Sequence, residues 1–235
     1  MDAALLREIN QRRHTRQAFA LVGDLSGGEK QLISRKEASG QPLANQLEAR
    51  FLSGKSGMEE LDGKEVFIEM HLPATRIVVV GAVHISQALY PMCQACGFDI
   101  TIIDPRTAFA TPERFAGVNL IADWPEDVLK EVPLDAYTAM VALTHDPKID
   151  DGALEAALEA SCFYIGALGS RKTHAKRVAR LEERGASSAS LSNIHAPIGL
   201  NIGAATPAEI AAAILAEIIA TLRMPTAKTR QDAAK

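Results

Sequence analysis

The chain of 235 residues is long enough for one large domain, or for a small domain beside a larger one. Hydrophobic residues make up 47% of it and charged residues 23%, which excludes an intrinsically disordered protein. The formal net charge of −4 argues against nucleic acid as a partner, because phosphate backbones recruit basic surfaces. No apolar run approaches the roughly 20 residues of a membrane span. The charged segment 1–17 lacks the apolar core of a signal peptide, so we expect a cytoplasmic protein with no membrane partner.

Residues 1–72 are predicted to form a small N-terminal α+β domain. Its apolar pattern indicates helices over 2–13 and 42–52, and strands over 17–22, Lys30–Ser34 and 64–70. The Gly-containing segment 23–30 is typical of a turn between the first two of these strands.

From Arg76 onward the chain alternates strands with helices. The run IVVV at 77–80 is typical of a strand that is buried on both faces of a parallel sheet. Further strands are predicted over 98–103, 118–121, 138–143 and 162–165, and helices over 84–96, 125–130, 150–160, Arg171–Glu183 and 206–222, with a short helix that begins at Thr111. This alternation predicts an α/β fold with a doubly wound, Rossmann-like parallel sheet in a cofactor-binding domain over 76–225, followed by a flexible tail over 226–235.

The last predicted helix carries clear start signals. Thr206 is the expected N-cap, Pro207 the first helical residue, and Glu209 the third, which together form a capping box.

The loop after the first parallel strand resembles a dinucleotide-binding loop in part. Gly81 supplies the tight turn of the pattern GxGxxG, but Val83 and Ser86 replace its second and third glycines. The Val83 side chain is expected to obstruct the pyrophosphate of a nicotinamide dinucleotide. The N–H groups at the start of the following helix, near His84, can still bind an anion.

Asp104 lies at the end of the second strand, where Rossmann folds place an acidic residue on a ribose hydroxyl. Arg106 follows and is a candidate for bidentate phosphate binding. A plain turn at Asp104-Pro105 is the alternative interpretation.

Two further loops carry polar groups at strand ends. His145 and Asp146 follow the fourth strand, where open parallel sheets gather ligands, and Asp150 is expected to cap the next helix. Gly169, Ser170 and Arg171 follow the fifth strand and form a candidate anion cradle. The alternative is simple capping of the helix by Ser170.

Metal binding is not expected. The three histidines His84, His145 and His195 do not show the sequence spacing of metal ligands. The Gly-rich loop 195–204 is interpreted as a loop that closes over a ligand. A single CxxC at Cys93 and Cys96 cannot assemble a four-thiolate zinc site. Cysteines in such an apolar segment behave as small hydrophobic residues, and a redox or metal role is the weaker alternative.

Five segments in order carry a resemblance to a known family. They are RIVVVGAVHISQAL, TIIDPRTAFATPERF, ALTHDPKID, FYIGALGSRKTHAKR and IHAPIGLNIGAATPAEIAAAILAEI, which together run through residues 76–222. In these segments the chain resembles the xanthine dehydrogenase accessory factor family, of the XdhC/CoxI type.

The resemblance implies a maturation protein, a chaperone that binds molybdenum cofactor as molybdopterin or its dinucleotide form. Such a protein assists sulfuration of the cofactor and its insertion into a molybdenum hydroxylase apo-enzyme such as xanthine dehydrogenase. A homodimer and a cysteine desulfurase partner are further implications. The cofactor-binding candidates from the loops and the resemblance together are Gly81, Val83, His84, Asp104, Arg106, His145, Asp146, Gly169, Ser170 and Arg171.

Two alternatives remain at this point. The strand, the Gly81 loop and Asp104 also suit an NAD(P)-dependent oxidoreductase, although no Tyr and Lys pair suggests a proton relay. The other alternative is a regulatory module that binds no cofactor.

The N-terminal part of the chain departs from the family pattern. Residues 1–70 contain neither the Gly-Ser-x-Pro-Arg segment nor the Gly-Gly-Cys segment usual in the family, and no cysteine. No catalytic residue is assigned.

Overall fold

The computed structural model describes residues 3–24, 28 and 30–224, in two compact units, residues 3–74 and residues 75–224. Within these ranges no helix combines the length and the apolar character needed to cross a bilayer. The predicted tail 226–235 lies outside the described residues.

The N-terminal unit is built on a four-stranded antiparallel sheet. Its elements are α1 (Ala3–His14), β1 (Phe19–Asp24), β2 (Lys30–Ser34), α2 (Arg35–Ala38), α3 (Ala44–Ser53), β3 (Gly57–Leu61) and β4 (Lys64–His71). The strand order is β2-β1-β4-β3. α3 contributes Leu47 and Phe51 to a core that also contains Ile68 of β4. The predicted α+β character is confirmed, whereas α2 and β3 were not predicted, and much of the predicted turn, at 25–27 and 29, lies outside the described residues.

The C-terminal unit alternates strands and helices. Its elements are β5 (Arg76–Val80), α4 (His84–Ala95), β6 (Asp99–Ile103), β7 (Asn119–Ile121), α5 (Pro125–Glu131), β8 (Thr138–Ala142), α6 (Pro147–Glu159), β9 (Tyr164–Ala167), α7 (Arg171–Glu183), α8 (Ser188–Leu191), β10 (Ile194–His195) and α9 (Pro207–Arg223). All six strands are parallel, in the order β7-β6-β5-β8-β9-β10. This is the order of a doubly wound Rossmann fold, so the predicted fold class is confirmed.

Both faces of the parallel sheet are covered by helices. Ile77 and Val79 of β5 belong to the core that α4 and α9 cover. Val78 and Val80 belong to the core that α5, α6, α7 and α8 complete. Because successive strand residues point to opposite faces, burial of both faces requires the uninterrupted apolar run of β5.

Helix α9 starts as its sequence predicts. The Thr206 hydroxyl accepts a hydrogen bond from Glu209 N at 3.3 Å, and the Glu209 carboxylate accepts one from Thr206 N at 2.9 Å. Pro207 occupies the first helical position, and Ile214 and Ile218 are fully buried. The capping box therefore fixes the start of the helix that covers one face of the sheet.

Three local predictions were wrong. The segment after Thr111 forms turns instead of a helix, because Phe115 inserts into the core and Gly117 adopts a left-handed φ of 81°. α6 begins at Pro147, since Asp146, not Asp150, is the N-cap and accepts a hydrogen bond from Lys148 N at 3.0 Å. The fifth strand, predicted over 162–165, spans Tyr164–Ala167.

Gly166 of β9 provides a test of packing between the sheet and the loop after β10. A Cβ at this position would lie 2.6 Å from Ile198 Cδ1 and 2.7 Å from Tyr164 Oη. We expect Gly166→Ala to lower the free energy of unfolding by about 1–3 kcal/mol, as overpacked core sites do. Urea denaturation followed by circular dichroism measures this change.

Gly152→Ala is the matched control. The three atoms nearest to its Cβ would all belong to the flexible Glu126 side chain, with Oε1 at 2.5 Å, and alanine favours the helical conformation. We expect this variant to unfold at a urea concentration close to that of the parent. Equal destabilisation by both substitutions would contradict the packing assigned to Gly166.

Candidate functional site

The functional candidates lie at the carboxyl ends of the parallel strands. The strand order reverses between β5 and β8, so α4 leaves the sheet on one face and α6 on the other. Such a switch point opens a crevice where Rossmann folds bind their ligands. The loops that follow β5, β6, β8 and β9 surround this point.

Gly81 leaves β5 in close contact with the loop after β8. Its φ is 124°, and a Cβ would lie 3.1 Å from Thr144 Cγ2. Both observations require glycine, because an L-residue is strained at this φ and has no room for its side chain.

Ser86 closes the Gly81 loop from inside. Its buried hydroxyl accepts a hydrogen bond from Val83 N at 2.9 Å and lies 2.7 Å from Gly81 O, to which it donates. Val83 is the extended N-cap residue of α4 and is half-buried, while His84 begins the helix and is exposed. The serine at the third glycine position therefore supports the turn.

Asp104 is fully buried and holds two loops together. Its Oδ2 accepts hydrogen bonds from Ala82 N at 2.7 Å and from Arg106 Nη2 at 2.7 Å, and its Oδ1 accepts from Arg106 N and Nε, both at 2.9 Å. Burial alone would raise the pKa of Asp104, but the hydrogen bonds from Arg106 and Ala82 outweigh it and lower that pKa. Both carboxylate oxygens are thus engaged within the protein.

Arg106 is oriented by this contact. Its guanidinium lies 4.6 Å from the centre of the Phe109 ring, and its side chain is 32% exposed. Hydrogen bonds with Asp104 raise the pKa of Arg106, and the charges of Asp104, Asp146 and Asp150 add to this effect. The carboxylates of Asp146 and Asp150, which follow β8, therefore stabilise the positive charge of Arg106.

Asp150 organises the loop after β8 and was misassigned as a cap by sequence reasoning. From the first turn of α6 its buried carboxylate accepts hydrogen bonds from the Thr144 hydroxyl at 2.7 Å and from His145 N at 3.1 Å. Burial is the largest effect on this group and raises the pKa of Asp150. These contacts accompany a left-handed φ of 62° at the exposed His145.

The loop after β9 approaches His145. Gly169 has φ of 137°, and a Cβ there would lie 3.2 Å from Thr173 Cβ and 3.8 Å from His145 Nδ1. The Ser170 hydroxyl caps α7 by accepting a hydrogen bond from Thr173 N at 3.2 Å, and Arg171 is exposed in the first turn. The alternative of simple capping by Ser170 is therefore confirmed, and the anion cradle stays a prediction.

The structure brings most of the predicted residues together around Thr144 and His145. A Cβ at Gly81 would lie 3.1 Å from Thr144 Cγ2, and a Cβ at Gly169 would lie 3.8 Å from His145 Nδ1. The charge of Asp146 contributes to the raised pKa of Arg106. His195 binds elsewhere, with its Nδ1 3.1 Å from Glu217 Oε1. In the ranges that the structure describes, no three His, Cys, Asp or Glu side chains are grouped to hold a metal ion.

The contacts of His195 involve residues that sequence reasoning missed. Glu217 Oε2 accepts hydrogen bonds from Tyr164 Oη at 2.6 Å and from Gly199 N at 2.9 Å, and the rings of Tyr164 and His195 lie 4.8 Å apart. The signal that the sequence offered for this network was Glu217, an acidic residue within the apolar part of α9. This network ties the Gly-rich loop after β10 to α9.

Asp104→Asn tests the clamp between the loops. Because the pKa of Asp104 is lowered by folding, its carboxylate stabilises the native state above the unfolded value near 3.8, and this contribution is lost as the pH falls through the folded value. We expect the variant to lose about 1–3 kcal/mol of unfolding free energy at pH 7, and less at pH 3, which lies below the unfolded value. Urea titrations at the two pH values measure the difference.

Asp127→Asn is the control, because Asp127 forms an exposed pair with Lys130 at 2.8 Å. It should leave the urea midpoint almost unchanged at both pH values. A pH-independent loss in Asp104→Asn would contradict a role for its charge.

Comparison with known proteins identifies the family. Residues 77–218, more than half of the chain, match the model of the XdhC Rossmann domain. YqeB of Escherichia coli K12 is 29% identical over 222 residues, covering 88% of this chain and 40% of that protein. A protein of Bacillus subtilis 168 that is named as a probable subunit of xanthine dehydrogenase is 32% identical over 157 residues, covering 66% of this chain and 46% of its own length.

Two further similarities point the same way. The molybdenum cofactor insertion chaperone PaoD of Escherichia coli K12 is 32% identical over 146 residues, covering 62% of this chain and 40% of that protein. The crystal structure of a xanthine dehydrogenase from Bacillus halodurans superposes with a TM-score of 0.61 at 23% identity, over 96% of this chain and 66% of the other, which shows the shared fold. This chain thus spans less than half the length of the curated relatives that it matches. The family match over 77–218 confirms the resemblance seen in the sequence, and the chain belongs to the XdhC family.

Proposed function

We propose that this chain is a maturation factor for a molybdenum hydroxylase such as xanthine dehydrogenase. It binds molybdenum cofactor, as molybdopterin or its dinucleotide form, at the carboxyl edge of the parallel sheet, and assists sulfuration and insertion into the apo-enzyme. The observation that carries the proposal is the approach of the loops after β5, β6 and β9 to the loop after β8, which contains Thr144 and His145, at the switch point. The relative named as a molybdenum cofactor insertion chaperone supports the choice of cofactor.

The loop after β9 suits the phosphate of such a cofactor. Gly169 brings its backbone close to Thr173 and His145 at the start of the 13-residue helix α7, since a Cβ there would lie 3.1 Å from Thr173 Cγ2 and 3.8 Å from His145 Nδ1. Helix N-termini favour anions through their free N–H groups and their dipole. Arg171, exposed in the first turn, adds a positive charge.

The remaining residues would hold the rest of the cofactor. Arg106, fixed by Asp104 and still partly exposed, provides donors on the β6 side of the crevice. His84 at the start of α4 and His145 after β8 are exposed polar groups on the strand-end loops. The bound cofactor would supply the molybdenum centre of the recipient hydroxylase, while this chain binds and orients it.

Oxidoreductase activity with NAD(P) has less support. The Asp104 carboxylate would have to release Ala82 N or Arg106 before it could accept a ribose hydroxyl. Val83 also stands where a dinucleotide pyrophosphate needs close backbone approach.

Sulfur for the cofactor would come from a partner such as a cysteine desulfurase. Burial raises the pKa of Cys93 and of Cys162 to about 12 each, so neither forms a thiolate at neutral pH. The third cysteine, Cys96, is exposed.

We further propose that the protein works in the cytoplasm as a homodimer that docks on the apo-hydroxylase.

Retention of pterin tests the proposal. Protein from a host that makes molybdenum cofactor should copurify with molybdopterin, measured as pterin fluorescence after oxidation. Arg171→Ala should lower the retained pterin about 10-fold, since a hydrogen bond to a charged group is worth roughly 1.5–3 kcal/mol.

Arg184→Ala is the matched control at the other end of α7, where Arg184 pairs with Glu155 at 2.6 Å. It should retain as much pterin as the parent protein. Pterin-free parent protein, or equal retention by both variants, would contradict the proposed site.

Thiol labelling tests the assignment of the cysteines. Iodoacetamide at pH 8 should modify one thiol per native chain, at Cys96, because thiolate is the reactive form. Peptide mass spectrometry locates the label, and Cys96→Ala should abolish it. Rapid modification of Cys93 or Cys162 in the native protein would contradict the raised pKa assigned to these two thiols.

A further inference from the structure

A small basic pocket lies between helices α6 and α7, next to the loop after β9. Its volume is about 240 Å³, which is below the roughly 300–1,000 Å³ of pockets that enclose a whole small-molecule ligand. The lining residues are His145, Pro147, Asp150, Asp151, Lys172, Thr173, Lys176, Arg177 and Arg180. The size suits one charged group of a ligand better than an entire ring system.

Arg177 is the unusual member of the pocket wall. It is 2% exposed, and its Nη2 donates a hydrogen bond to Leu168 O at 2.9 Å. Its Nε and Nη1 are buried without a hydrogen-bond partner in the part of the chain that the structure describes. A buried guanidinium with unpaired donors is costly, so these two nitrogens favour an acceptor from a ligand in the pocket.

The carboxylates of the pocket do not remove this requirement. Asp151 is engaged by Arg180, whose Nε and Nη2 donate at 2.7 and 3.0 Å. Asp150 accepts hydrogen bonds from the loop after β8. Both carboxylates attract Arg177 through their charges, but burial has the larger effect and lowers its pKa.

The excess of charge in the pocket is positive. Four cationic side chains of α7 face two carboxylates of α6, and Lys172 and Lys176 are exposed at the pocket edge. Thr173 adds a hydroxyl in the first turn of α7. A helix start, two lysines and an arginine with free donors together favour an oxyanion with several acceptor atoms.

We infer that this pocket binds a phosphate group, with Arg177 as its buried ligand and Lys172 and Lys176 as its outer cations. The phosphate belongs either to a free phosphate ion or to a phosphate ester that extends towards His145. The pocket adjoins Gly169, since His145 and Thr173 border both, and its phosphate ligand does not require that the larger ligand be a molybdenum cofactor.

Phosphate binding to purified protein tests the inference. Calorimetric titration with inorganic phosphate, at an ionic strength held constant with chloride, should show one site in the parent protein. Arg177→Met should weaken binding about 10- to 100-fold, the loss expected for hydrogen bonds between charged groups. Arg184→Met, at the end of the same helix and outside the pocket, should bind as the parent does.

Thermal unfolding separates a ligand role of Arg177 from a structural one. Without phosphate, Arg177→Met should melt within a few degrees of the parent, because removal of two unpaired buried donor atoms offsets the loss of the hydrogen bond to Leu168 O. Phosphate should raise the melting temperature of the parent and not of the variant. A large drop in the melting temperature without phosphate would assign Arg177 to the fold and overturn the inference.

Exposed lysines provide a second variant that does not depend on replacing a buried residue. Lys172→Met combined with Lys176→Met should weaken phosphate binding about 10-fold with an unchanged melting temperature. Absence of phosphate binding by the parent, or unchanged binding in this double variant, would overturn the inference.

A nucleoside monophosphate distinguishes the two sources of phosphate. Tighter binding than inorganic phosphate indicates an ester that reaches beyond the pocket, and equal affinity of the two supports a phosphate-group site without further contacts. Because these titrations contain no pterin, a pterin-free protein would contradict the proposed function alone, and failed phosphate binding would contradict this inference alone.

Discussion

The parallel pairing of β5 with β8 is the constraint from which the site follows. Val80 pairs with Ala142, and Leu143 N donates to Val80 O at 2.8 Å, so the two strands end side by side. Their helices then diverge to opposite faces of the sheet, and the loops meet at Gly81 and Thr144. A side chain at Gly81 would push these loops apart and alter the crevice between them.

Two buried carboxylates hold the crevice in shape. Asp104 binds Ala82 N and Arg106 on one side, and Asp150 binds Thr144 and His145 on the other. Each acidic residue is used to orient a neighbouring loop, which leaves exposed cations and histidines for contact with a ligand. Fixing the loops before binding lowers the entropic cost of holding an anion.

The sequence was most informative where local rules and burial agree. The apolar run of β5 and the capping box of Thr206 and Glu209 predicted their elements, because each depends on near neighbours in the chain. The two-residue strand β10 exists through its pairing with β9, which no local pattern reveals. The turns after Thr111 likewise depend on the insertion of Phe115 into a distant core.

The residues of the candidate site also fall into two groups: those that the sequence predicted from strand ends, and those that only burial in the folded chain reveals. Strand-end positions located Gly81, Asp104, His145 and Gly169, since ligand sites of parallel sheets follow the topology. The sequence predicted that Asp104 binds a ribose hydroxyl. In the structure the side chain is buried, and both of its oxygens accept hydrogen bonds from Ala82 and Arg106. The sequence analysis did not single out Arg177, because only its burial and its unpaired nitrogens distinguish it from other basic residues such as Arg184.

Hydrogen–deuterium exchange with and without molybdenum cofactor tests the central claim most directly. If the cofactor binds at the carboxyl edge of the parallel sheet, slower exchange should appear together in residues 81–86, 144–146 and 168–173. Slower exchange confined to residues 30–74, with these three segments unchanged, would contradict the account.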